Sequence, residues 1–390
     1  MKAITKCAIV LYFLSCPIEL GLNVIFTSST KYIGAVILAL WVMGILYNKR
    51  GRYLYLSVHL SALIIWIIYD ILLTLSFGVE SERTTSYLTS YVMMVMLAVI
   101  MCQEDWAPND IKVFLNSYFL GTVILSLFVL IMGNYKYIGR LTLAIGGRYS
   151  DPNQIACCIV PGVFIALEKI KDKSSSNTIR ILCVLIMLLE VYGITMTASR
   201  GAMISVIIGV AVQITIYNNN RYINLISYVL MALVFYFVLR RIPENTAQRF
   251  LETDSFATGS GRTVIWRTLL CSFDARWLIG HGAGSTVTFF SESIGKATGV
   301  HNTFLLVLYE SGIIGFSMYI YAYLNLLVYH IRNKNALFVA LIIGSMVSSL
   351  FLDTLNLRYL WNALIFGVMD YNKSSHEVKT ELTNNIEQSR

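Results

Sequence analysis

Runs of about 20 apolar residues, each closed by a short polar stretch, recur along nearly the whole of this 390-residue chain. About 20 residues at helical rise cross the hydrocarbon core of a bilayer. Inside lipid every backbone polar group needs a partner within the chain, so spanning segments are helices or closed barrels. The runs here are apolar without the two-residue alternation of barrel strands, which selects helices. We read about twelve spans, near residues 7–26, 32–47, 54–75, 86–102, 113–133, 153–168, 180–197, 201–217, 222–239, 302–331, 336–352 and 355–370. Only 13% of residues are charged, about half the usual fraction in a soluble domain. The expectation is an all-α, polytopic integral membrane protein. Residues 1–370 form one transmembrane domain, and 371–390 a polar, disordered cytoplasmic tail.

Lys2 and Lys6 precede an apolar stretch, as in a signal peptide. "CAIVLYFLSCPIELGLNVIF" has no small-x-small cleavage site and is long enough to span, so it reads as a retained first helix. The basic loops "NKRGRY", "EKIKDKSSSNTIR", "NNNR" and "IRNKN" fall on one side when the N-terminus is inside. Basic loops face the cytoplasm, and both termini are then cytoplasmic. The net charge of +8 does not indicate nucleic acid, because the basic residues are scattered among short loops. The 7 cysteines form no disulfide framework: six lie in or at the ends of apolar runs, and Cys271 has no partner in its loop. There is no metal-ligand spacing, and no cofactor is expected.

The outer face carries the unusual chemistry. It holds residues 134–153, a Thr-Ala-Ser-Arg-Gly turn around Arg200, and one long segment, 240–300. Long loops in a compact fold are usually functional. Within this one, Val264, Ile265, Leu269 and Phe273 recur at helical spacing, which predicts a short interfacial helix starting at Arg262. A charge at membrane depth costs at least ~2.5–3.5 kcal/mol, so Arg200 belongs at the water boundary or beside an anion. Arginine is permanently charged and offers a planar fork matched to phosphate oxygens. The outer side also carries Arg140, Arg148, Arg240, Arg241 and Lys296, an excess that suits an anionic ligand. The plainer alternatives stay open. Arg200 as a snorkelling anchor, Arg262 as a solvated loop charge and His301 as a helix-start residue fit the same pattern. Arg148 and Asp151 also fit an ion pair shaping the Asp-Pro-Asn turn. Glu19, Asp70, Glu190, Glu310 and Asp353 are acids in apolar surroundings, functional suspects by default.

Four stretches stand out on the outer side: "GGRYSDPN", "TASRGA", "SGRTVIW" and "HNTFLLVLYESGIIG". In this order and spacing they resemble the O-antigen ligase and O-antigen polymerase superfamily over residues 140–330. Members are multispan bacterial enzymes acting on undecaprenyl-diphosphate-linked sugars. One departure is the glycine-rich turn before the histidine, where His281 replaces an apolar residue in "GHGAG"; its role is left open. The resemblance implies a GT-C-like fold with one long extracytoplasmic loop containing short helices, in the bacterial cytoplasmic membrane. It implies a repeat-unit polymerase that transfers glycan from an undecaprenyl-diphosphate-linked oligosaccharide, without metal and with inversion. It further implies membrane lipids and other envelope polysaccharide assembly proteins as partners. A ligase that passes glycan to lipid A core or protein, and a flippase of lipid-linked oligosaccharide, are the alternatives. Arg200, Arg262 and His301 are the expected catalytic residues. Arg148, Asp151, Asn153, Asn302 and Glu310 are the expected substrate-binding residues, with no metal ligand.

The topology has a direct test in the native Cys271. An impermeant maleimide should label it in spheroplasts without permeabilisation; labelling only after permeabilisation would overturn the orientation.

Overall fold

The computed structural model describes residues 2–22, 29–47, 56–77, 82–103, 106–137, 139–145, 148–218, 220–251 and 261–388. Of the stretches read as spans, 23–26 and 54–55 lie outside the described residues, and each stretch overlaps a helix. In chain order these are α1 (Lys2–Leu22), α2 (Ser29–Tyr47), α3 (Val58–Phe77), α4 (Glu82–Met101), α5 (Pro108–Met132), α6 (Pro152–Lys171), α7 (Asn177–Met196), α8 (Arg200–Tyr217) and α9 (Arg221–Arg241). After three short helices, α10 (Glu244–Leu251), α11 (Arg262–Cys271) and α12 (Ser285–Ile294), come α13 (Thr303–Arg332), α14 (Ala336–Ser349) and α15 (Arg358–Gln388). Among the described residues, 8 helices are long and apolar enough to cross a membrane, and two shorter apolar ones accompany them. The chain is thus a helical, polytopic membrane protein. Two features depart from the expectation. Two antiparallel strand pairs precede α6, β1 (Asn134–Tyr137) with β2 (Arg140–Thr142) and β3 (Ala144–Ile145) with β4 (Arg148–Tyr149). The polar tail past Asp370, expected to be disordered, continues α15 to Gln388; neither Pro nor Gly follows Gly367 to stop the helix.

α6 is the most enclosed candidate span. α7 and α8 pack on it, α14 packs on α8, α5 lies against α1, and α3 against α13. Small residues allow the close approaches, as is usual between membrane helices. A Cβ on Gly209 of α8 or Gly344 of α14 would lie 2.2 or 2.5 Å from the Phe164 ring of α6. The acids flagged in the sequence are mostly structural. Glu190 accepts a hydrogen bond from Thr122 Oγ1 at 2.7 Å, in space that Gly162 leaves open. Glu19 is buried against Thr30 and Arg358, so that arginine is already paired. Asp70 accepts from Ser311 Oγ at 2.9 Å.

α13 is interrupted at Gly312 (φ 66°, ψ −177°). The glycine-rich turn at 278–283 satisfies the freed backbone. His281 N–H donates to Tyr309 O at 3.2 Å, Gly282 N–H to Glu310 O at 2.8 Å, and Ile314 N–H to Leu278 O at 3.2 Å. The approach is backbone to backbone: a Cβ on Gly312 would lie 2.4 Å from the Ile279 carbonyl carbon and 2.5 Å from Gly280 N. Gly312→Ala adds that clash to a left-handed φ, and should destabilise the protein by about 2 kcal/mol or more. A lowered Tm of the purified protein in detergent checks it.

Candidate active site

One cavity of about 560 Å³ lies where four helices begin. Its lining includes Asn153 from the first turn of α6, Arg200 and Gly201 from α8, Gly261 and Arg262 at the start of α11, and His301 just before α13. Helix N-termini carry partial positive charge and orphan N–H groups, which favour anions. α6 and α13 are side-chain capped. Asp151 Oδ1 accepts from Asn153 N–H at 2.8 Å, and Asn302 Oδ1 from Phe304 and Leu305 N–H at 3.0 and 3.1 Å. α8 and α11 have no side-chain cap, and each opens on an arginine. A cation at a helix N-terminus works against the dipole. Two of them at one cavity are favourable when an anion binds between.

Electrostatics at Arg262 agree. Burial pushes its guanidinium below the ordinary value; Asp151 and Asp353 pull it up, and Arg200 pushes it down. The two expected arginines therefore sense each other across the cavity. Trp266, one turn into α11, donates Nε1–H to Val300 O at 2.9 Å, which ties the Arg262 helix to the loop bearing His301. His301 and Ala198, which flanks the Arg200 turn, both adopt left-handed backbone, with φ 55° and 51°.

The sequence motifs separate into two groups. Arg200, Arg262, His301 and Asn153 meet at the cavity. Asp151 and Asn302 are helix caps, because their side-chain oxygens accept first-turn N–H groups. The Asp-Pro-Asn triplet is an N-cap followed by a proline at the helix start. Glu310 is only 2% exposed and does not line the cavity; its Oε1 accepts from Thr286 Oγ1 at 2.7 Å. It stands two residues before the helix break at Gly312. Arg148 stands on β4 opposite Ile145, and its side chain lies outside the described residues. His281 has a structural place: its ring stacks on Tyr309 at 4.0 Å, and Nδ1 donates to the Tyr309 carbonyl at 3.0 Å.

Three residues that the sequence offered only as charges take a definite place. Arg140, on the first hairpin, lines the cavity; it donates through Nε to Thr197 O at 3.1 Å and through Nη2 to Asn153 at 2.6 Å. It thereby joins the hairpin to the starts of α6 and α8. Lys296 lines the outer rim. Asp353, between α14 and α15, accepts from the backbone N–H of His301 and of Asn302, the latter at 3.1 Å. Burial pushes the Asp353 carboxyl up, while these N–H groups, His301 and Arg262 hold it down. Gly299 makes room for it, since a Cβ there would lie 2.2 Å from Oδ2. Next to Asp353, Phe351 packs on Gly201, so one short loop braces both the arginine and the histidine sides. The signal available for Asp353 was an acid in a short outer loop; Arg140 and Lys296 carried none beyond charge.

Asp353→Ala should free the His301 loop. Backbone hydrogen exchange across residues 299–303 should quicken by about tenfold or more, through the loss of the two hydrogen bonds that Asp353 accepts there, with exchange in α6 unchanged.

Residues 181–320 match the family model described as O-Antigen ligase, about a third of the chain. No curated protein compared with the chain matches it. The matched segment runs from α7 into α13 and contains Arg200, Arg262 and His301, so over this third of its length the chain is similar to O-antigen ligases.

Proposed function

We propose that this chain is a polysaccharide repeat-unit polymerase that uses undecaprenyl-diphosphate-linked oligosaccharides as donors. The observation that carries the reading is the cavity where two uncapped, arginine-headed helix N-termini and His301 converge. Breaking a sugar–phosphate bond leaves growing negative charge on the departing diphosphate. Fixed cations and N–H groups at that place stabilise the charge as it develops. Arg200 and Arg262 hold the diphosphate, and Arg140 orders the turn behind them. His301 takes the proton from the acceptor hydroxyl, whose oxygen attacks the anomeric carbon opposite the phosphate, so the configuration inverts. In this reading the chain crosses the bacterial cytoplasmic membrane about twelve times, with the cavity outside and both termini in the cytoplasm. Other envelope polysaccharide assembly proteins work beside it.

A ligase is the second reading, favoured by the description of the matched family; it shares donor and site and differs in acceptor. The flippase alternative is weaker, because the charged motifs gather in one cavity at the helix starts rather than along a path through the bundle.

Arg200→Ala and Arg262→Ala should abolish glycan transfer in reconstituted protein at normal expression. Arg200→Lys should recover little, as lysine lacks the fork; full recovery would remove the bidentate role. His301→Ala should slow turnover about 10²–10⁴-fold with donor binding retained. Chelator should leave wild-type rates unchanged, and the product linkage should be inverted relative to the donor. Strains lacking the protein should carry single repeat units on their surface if it polymerises, and should accumulate lipid-linked polymer if it ligates.

A further inference from the structure

The cavity of about 560 Å³ has the size of a pocket that encloses a drug-sized ligand, so it has room for more than a diphosphate. Arg200 and Arg262 enter it from helix starts. Lys296, Thr298 and His301 line it from the single loop between α12 and α13. We propose that Lys296 and Thr298 form a subsite for a sugar carboxylate, so that the hydroxyl activated by His301 belongs to an acidic glycan. The proposal rests on the glycosyl-transfer reading above and names the acceptor class for that same site.

The hydrogen-bonding inventory is the first argument. A sugar hydroxyl brings a proton as well as lone pairs, so a neutral sugar calls for acceptors in the lining as well as donors. Among the described residues, the charged side chains of the lining are Arg140, Arg200, Arg262 and Lys296, which donate and cannot accept. The amide oxygen of Asn153 already accepts from Arg140 Nη2, and His301 is engaged by the reacting hydroxyl. Thr298 Oγ1–H donates to Gly299 O at 3.4 Å, a long bond that a nearer acceptor displaces. An ionised carboxylate only accepts, and it is the sugar substituent that matches this lining. Val264 and Ile294 offer an apolar wall to the C–H face of the ring.

The placing of the lysine is the second argument. α12 ends at Gly295 in left-handed backbone (φ 66°), and Lys296 N–H reaches back to Phe290 O at 3.4 Å. Phe290 is fully buried, so the start of the loop is fixed. Its far end is fixed by Trp266 on the Val300 carbonyl and by Asp353 on Asn302 N–H. The C-terminus of α12 favours a cation, which supports the charge without an acid beside it. Among the described residues no carboxylate pairs with Lys296.

The direction of transfer assigns the subsite to the acceptor. The donor's diphosphate occupies Arg200 and Arg262, and Arg140 is committed to Thr197 O and Asn153. Lys296 is the lining cation left for a second anion. Lys296 and Thr298 both precede His301 in one loop, so a sugar that presents a hydroxyl to His301 lies along them.

The test compares binding of p-nitrophenyl β-glucuronide and p-nitrophenyl β-glucoside to the full-length protein in nanodiscs, by saturation-transfer NMR, with inorganic diphosphate at saturation. Diphosphate fills the arginine site, so the carboxylate reports on the rim. The glucuronide should bind about fivefold more tightly than the glucoside, the scale of one exposed charge pair. Lys296→Gln should erase the difference, Lys296→Arg should restore it, and Lys296→Glu should favour the glucoside. Equal or undetectable binding to wild type, or a preference that survives Lys296→Gln, would overturn the subsite. A preference seen only without diphosphate, and lost in Arg200→Ala, would place the carboxylate in the phosphate site; that overturns the subsite and leaves the donor reading standing. If inorganic diphosphate shows no Arg200-dependent binding, the donor reading falls, while a Lys296-dependent preference for the glucuronide would still establish the acid subsite.

Discussion

A membrane helix can be interrupted only where the freed carbonyls find donors inside the protein. The break at Gly312 finds them in the turn at 278–283, and the placement of the site follows from that pairing. His281 supplies two donors to one carbonyl, its own N–H and its ring Nδ1. Trp66 Nε1–H donates to Ser311 Oγ at 3.1 Å, and Ser311 Oγ–H donates in turn to Asp70. Tyr69 Oη–H closes the same seam on the Ile279 carbonyl at 2.5 Å. The long segment between α9 and α13 is thereby pinned to the bundle behind the cavity, and α11 hangs from that anchor. Arg262 is then held by Trp266 on the His301 loop. Without the break, α11 and the start of α13 would lack this common support.

The second constraint is electrostatic and opposes the first. Arg200 repels Arg262, each at the positive end of a helix. Asp151 and Asp353 offset part of this from behind, yet neither lines the cavity. A ligand with two or more negative charges relieves the repulsion, so occupancy and stability are linked. Packing holds the arginines together in advance, and the anion needs no rearrangement of them to bind.

The helical fold was legible because lipid leaves few choices: an apolar run near 20 residues is a helix in the sequence and in the structure. Arg200, Arg262 and His301 drew attention because a charge or a histidine at a span mouth is rare enough to need a reason, and the structure brings the three to one cavity. Asp151 and Asn302, expected at the substrate, stand as helix caps, since capping and ligand binding ask for the same short polar side chains. Glu310 stands away from the cavity lining, and sequence does not tell which side of a broken helix an acid faces. The break itself was written in "ESGIIG", but its partner, 278–283, is a tertiary fact. Arg140 was hidden by the hairpins, whose strands are too short to show an alternation.

The cavity lining bears on how glycosyl transfer proceeds. A double displacement needs a carboxylate or similar nucleophile beside the donor sugar, and among the described residues none that lines the cavity is an acid. Asp151 and Glu310, the acids nearest to the motifs in sequence, are engaged by a helix cap and by Thr286. Asp353 faces the backbone of the His301 loop, so it positions the histidine rather than reaching a sugar carbon. Of the three non-glycine residues with positive φ among the described residues, Ala198 and His301 border this cavity. Such conformations cost free energy and persist where the surroundings impose them. Here the surroundings are Arg140 on the Thr197 carbonyl on one side and Asp353 under His301 on the other. Both strained residues set the direction of a cavity-lining side chain, Arg200 or His301. That favours a single displacement in which a pre-aimed base and pre-aimed cations act on opposite sides of one anomeric carbon.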